Sequence, residues 1–171
     1  MGLDITAYRK LTPLQGVTIN DDGEPPDYDT QFSPNDETLR WTEKNWPGRT
    51  AGILSGIVYG YDAREAFHPG SYGGYNAWRR DLTVFAGYPS ADALWDGEVE
   101  SGPFYELINF ADNEGVIGPV VASKLARDFA EHRARAEATM TDKDEGWFIA
   151  KYREWQKAFE IAADGGCVDF H

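Results

Sequence analysis

The chain has 171 residues, with 29 acidic against 16 basic side chains and a net charge of −13, a sign that opposes the phosphate contacts of nucleic-acid binding. The same charge permits an acidic face that engages a basic host protein. No apolar run approaches the roughly 20 residues needed to cross a bilayer, and the lone Cys167 excludes an intramolecular disulfide, which suits a reducing, cytoplasmic setting.

Core material is plentiful: 42% of residues are hydrophobic, and there are 6 Trp, 9 Tyr and 9 Phe. A chain of this length is expected to form one domain over residues 1–171 and to fold without metal or cofactor. Leu3, Ile5 and Ala7 alternate with Asp4, Thr6 and Tyr8, the period-2 pattern of a strand. A second short strand is expected over Gly16 to Asn20, ending at the turn Asp21-Asp22-Gly23. Residues 24–37 carry Pro25, Pro26 and Pro34 and read as a long acidic loop. Thr38 to Lys44 is expected to pair as a strand, followed by a turn at Asn45-Trp46-Pro47-Gly48. Ile53 to Tyr61, rich in β-branched and aromatic residues, reads as another strand.

After His68-Pro69-Gly70, a helix is expected whose buried face is Tyr75, Trp78, Leu82 and Phe85, closed by Gly87. Ser90 is placed to cap a short helix through Trp95, and Phe104, Leu107, Ile108 and Phe110 form a brief apolar segment. Ile117, Val121, Leu125 and Phe129 recur every four residues, with Pro119 tolerated in the first turn of a long helix. Thr141 or Asp142 is expected to cap a second long helix, with Glu145 at the reciprocal position and Phe148, Tyr152, Trp155, Phe159 and Ala162 buried. Gly165-Gly166 ends it, and Cys167 to Phe170 returns as a strand. The fold class implied is α+β, a small antiparallel sheet with helices packed on one face and two long helices in the C-terminal half.

Three segments in this order, Gly2-Leu3-Asp4-Ile5, Gly70-Ser71-Tyr72-Gly73-Gly74-Tyr75-Asn76 with Trp78-Arg79, and Glu106-Leu107-Ile108-Asn109-Phe110 with Glu114-Gly115, carry a resemblance. The chain resembles, nearly end to end, a family of small bacteriophage and prophage proteins. That resemblance implies a viral accessory role, such as counter-defence, and implies no particular chemistry.

Two segments hold candidate site residues. Around Gly73 and Gly74, a glycine-rich stretch opening a helix offers free N–H groups to an anion. Ser71 and Asn76 would add hydrogen bonds, Tyr72 or Tyr75 would stack on a ring, and Arg79 would pair with phosphate from an exposed position. The alternative is a turn with Tyr75 and Trp78 in the core. The second segment holds Asp112 and Glu114, which with Asp4 nearby would coordinate a hard cation or act as acid and base, and with His68 would serve a hydrolase. His68, His132 and His171 form no local metal pair. Cys167 lies in an apolar stretch and reads as a buried structural thiol. The leading expectation is a non-catalytic binding module for a small polar or anionic ligand or a host protein. The alternatives are that hydrolase and a purely acidic decoy.

Overall fold

A computed structural model describes residues 2–21 and 23–171. The main sheet is antiparallel throughout, in the order β5 (Ala63–Ser71), β1 (Gly2–Arg9), β7 (Cys167–Phe170), β6 (Gly115–Ile117). A three-stranded patch sets β4 (Tyr59–Gly60) between β2 (Thr12–Pro13) and β3 (Gln31–Phe32). The architecture is α+β, as the patterns imply. Helices α2 (Tyr72–Ala86), α5 (Pro119–Thr139) and α6 (Trp147–Ala163) gather on one face of the main sheet, where Leu3, Ile5, Ala7, Ile117, Val168 and Phe170 point. The opposite face carries Tyr8, Val116 and Cys167, closed over by Phe32, Leu39, Ile53 and Tyr59. No helix among the described residues is long and apolar enough to cross a membrane.

The expected helical faces are the buried ones. Tyr75, Trp78, Leu82 and Phe85 turn inward from α2, and Phe148, Tyr152, Trp155, Phe159 and Ala162 from α6. Trp155 is the hub, stacked on Tyr75 at 5.4 Å, on Trp78 at 6.0 Å and on Phe159 at 5.8 Å between ring centroids. Such pairs add about 0.5–1.5 kcal/mol each beyond their buried area. The α2 terminus follows the expected chemistry: Gly87 adopts φ 91° and its N–H closes on Thr83 and Val84 carbonyls.

Four expectations are corrected. Residues 38–44 form helix, not strand: α1 (Asp36–Asn45) is capped by Asn35, whose side chain accepts the Glu37 N–H at 2.8 Å. Asp36 and Glu37 in the first turn and Lys44 in the last complement the helix dipole. Residues 16–20 pair with no strand, and the turn expected after them includes Asp22, which lies outside the described residues. Of Ile53 to Tyr61 only β4 is strand, because the chain turns repeatedly before it, with Gly56 at φ 71°. Neither Thr141 nor Asp142 caps α6. A tight turn over Lys143–Gly146 with positive φ at Asp144 and Glu145 leads into it, and Gly146 takes the cap position.

His68-Pro69-Gly70, after which the helix is expected, is the end of β5, and α2 follows directly. Proline is tolerated there because β5 is an edge strand that pairs only with β1.

Candidate functional site

Helix α2 starts where the glycine-rich segment lies, and the helix itself uses most of that segment. Ser71 Oγ accepts the Gly74 N–H at 3.1 Å as the N-cap. Gly73 and Gly74 form the first turn, and Tyr72 packs against the core. One turn further on, Asn76 and Arg79 face an open cleft of about 520 Å³. Ser71, Tyr72, Gly73 and Gly74 are not among the residues lining it.

Arg79 is not the exposed cation that its sequence position suggests, for it is only 3% exposed. Its Nη1 donates to the carbonyls of Phe110 at 2.5 Å and Ile108 at 3.3 Å, and its Nη2 donates to Asn76 Oδ1. The guanidinium lies over the Tyr75 ring at 4.6 Å. Asn76 in turn donates through Nδ2 to Asp112 Oδ2 at 2.7 Å, and Asp112 is 3.9 Å from Arg79. The two candidate segments therefore meet through Asn76, Arg79 and Asp112.

The far wall comes from elements that share no motif. Helix α1 supplies Trp41, and the residue that ends it supplies Trp46, the two rings meeting edge to face at 4.9 Å. Trp46 leans on Phe110 at 5.2 Å. Helix α3 (Ala91–Trp95), capped by Ser90 as expected, ends on Trp95, whose Nε1 donates to the Ile108 carbonyl at 3.1 Å. Arg80 stands 5.7 Å over the Trp95 ring and Arg79 5.8 Å. Asn109 and Asn113 complete the lining.

Short helix α4 (Tyr105–Ile108) leaves its last carbonyls without helical partners. Side-chain donors take them up: Arg49 reaches Glu106 O at 3.1 Å and Asn109 O at 3.2 Å, while Arg79 and Trp95 reach Ile108. Gly115, at φ 150°, then turns the chain into β6, and a Cβ there would stand 2.8 Å from the Phe110 ring. The cleft floor is thus a loop pinned from beneath by two buried guanidiniums.

Asp112 and Glu114 do not form a pair. Glu114 lines a separate cavity of about 290 Å³ with Asp169, His171, Thr38 and Asn35. Burial, and then the Glu114 charge, push the Asp169 carboxyl up to about 7. His171 Nε2 lies 2.9 Å from Thr6 Oγ1. His68 pairs with Asp4 at 3.0 Å on the exposed end of the sheet, so neither joins Asp112 or Glu114. Cys167 is fully buried, and burial pushes its thiol well up, which makes it a poor nucleophile. No group of three or more His, Cys, Asp or Glu among the described residues is arranged to hold a metal ion.

Sequence reasoning missed Trp41, Trp46, Trp95 and Arg80 as neighbours of one site. Their signal is not local, since the aromatic residues look like ordinary core and the four residues come from three separate elements, α1 with its end, α2 and α3. No protein-family model, curated protein or solved structure matches the chain.

Proposed function

We propose that this chain is a phage-type accessory protein that binds rather than transforms, and that its cleft takes a small polar, anionic ligand. The observation that carries this reading is the buried Arg79 guanidinium under an open cleft, with Arg80 at its rim and three indoles around it. A cation held in low-dielectric surroundings attracts an anion more strongly than one in water. Asp112 offsets that charge only in part, at 3.9 Å and half exposed. Arg80, which lines the cleft over Trp95, makes no carboxylate contact among the described residues, so its charge is not offset there.

Tryptophan emission provides the test, because three of the 6 Trp line the cleft. Inorganic pyrophosphate at millimolar concentration is expected to change the emission saturably, and Arg80→Ala to remove the response while the melting temperature stays put. A wild-type protein that ignores pyrophosphate, or an Arg80→Ala variant that responds unchanged, sinks the reading.

One observation favours a second reading, a hydrolase centred on Glu114 and Asp169 instead of Asp112 and Glu114. A carboxyl near 7 beside a second carboxylate is suited to proton transfer at neutral pH. Its mark would be turnover of a phosphate or peptide ester abolished by Asp169→Asn and untouched by Arg80→Ala.

A further inference from the structure

We infer that the ligand of the tryptophan cleft is a free nucleoside monophosphate, its base against the indoles and its phosphate at Arg80. The inference rests on the binding reading above and adds the ligand class. Three features of the cleft point the same way. Its volume, about 520 Å³, lies within the range of about 300–1,000 Å³ usual for small-ligand pockets.

Its walls are aromatic and partly open: Trp41 and Trp46 are half-buried, and Trp95 is 37% exposed. Flat indoles left in contact with water at a concave site suit a planar ring, since every base offers a π-face to stack on. Arg80 already lies over Trp95, so the Trp41 and Trp46 wall is the one left for the base.

The polar groups are the ones a base and a phosphate require. Asn113 is exposed at the cleft, and an amide offers a donor and an acceptor side by side to a base edge. Asn109, also in the lining, is oriented in advance, because its Nδ2 donates to Tyr105 Oη at 2.9 Å. At the other end Arg80, with the field of Arg79 beneath, provides the fork that matches a phosphate. Arg79 itself is a positioning residue, as its Nη donors are committed to Phe110, Ile108 and Asn76. A polymeric nucleic acid is disfavoured, because its repeated phosphate contacts need many basic side chains and the chain's net charge is −13.

The experiment titrates the full chain with AMP, GMP, ribose 5-phosphate, adenosine, tetramethylammonium and a single-stranded oligonucleotide, read by calorimetry and tryptophan emission. At least one nucleotide is expected to bind about ten-fold or more tightly than ribose 5-phosphate. Trp41→Ala is expected to erase that margin while ribose 5-phosphate still binds. Because Trp41 touches Trp46, the surface variant Asn113→Ala gives a second measure, an altered AMP-to-GMP ratio with no change in melting temperature. Arg80→Ala is expected to weaken nucleotides and ribose 5-phosphate alike and to leave adenosine unaffected.

Nucleotides no tighter than ribose 5-phosphate would overturn the nucleotide assignment and leave the anion-binding reading standing. An oligonucleotide tighter than any mononucleotide overturns the assignment to a free nucleotide. Silence from every phosphate, or response to tetramethylammonium alone, removes both readings.

Discussion

At the scale of single residues, Arg79 shows how burial reverses the meaning of a charged side chain. Three residues before it, Asn76 supplies an acceptor, and the carbonyls of Ile108 and Phe110 supply two more. Removing the guanidinium strands those carbonyls and leaves Asp112 without its cation, so Arg79→Ala is expected to cost about 2–4 kcal/mol of stability. Arg79→Lys keeps the charge and loses the fork that spans the loop, so it is expected to recover little of that loss. Trp78→Ala removes a ring that is 1% exposed and its Nε1 bond to the Phe148 carbonyl at 3.2 Å. Its expected cost is about 3–5 kcal/mol. Urea melts of the three variants check the order. An Arg79→Ala protein as stable as wild type would show that the loop over residues 108–112 holds itself up without the guanidinium.

At the scale of elements, α1 matters because it carries Trp41 to the cleft. Asn35→Ala deletes its N-cap and is expected to cost about 1 kcal/mol, together with a measurable loss of nucleotide or pyrophosphate affinity. Unchanged affinity in an Asn35→Ala protein that has lost stability would show that Trp41 is held at the cleft without the cap. Much of the element plan was legible in the sequence because α2, α5 and α6 bury long periodic faces, and apolar and polar residue types alternate at the start of β1. Helix α1 was not, because Thr38, Trp41 and Thr42 favour strands by type. The Asn35 cap and the dipole-matched charges outweigh that preference. Strand β5 was hidden by Pro69, which only an edge position accommodates. The cleft was half legible: Asn76, Arg79 and Asp112 stand in the two segments that looked chemical. Its tryptophans were not, since tertiary packing alone distinguishes a cleft wall from a core.

At the scale of the whole molecule, acidity sets how stability varies with pH, and two classes of carboxylate pull in opposite directions. Asp36 accepts from Ser55 Oγ and the Gly56 N–H, and Glu43 accepts from Thr50 and the Gly48 N–H. These bonds hold both carboxyls below their ordinary values, so what they contribute is present at neutral pH and lost on acidification. Asp169 does the reverse. With its folded value near 7 and an unfolded value near 4, the native chain keeps a proton that the unfolded chain has released. Stability therefore falls as pH rises from about 4 to about 7, by at most about 4 kcal/mol and by less because the carboxylate keeps some solvent at the cavity mouth. Replacing the group with a neutral isostere removes this slope. Asp169→Asn is expected to match wild type at pH 4 and to melt several degrees higher at pH 8, and Glu114→Gln to show a smaller change of the same sign. Thermal melts across pH 4–8 decide it. An Asp169→Asn protein that is less stable than wild type at pH 8 would mean that the carboxylate is ionised and paired there. It could then no longer be the proton donor that the hydrolase reading requires.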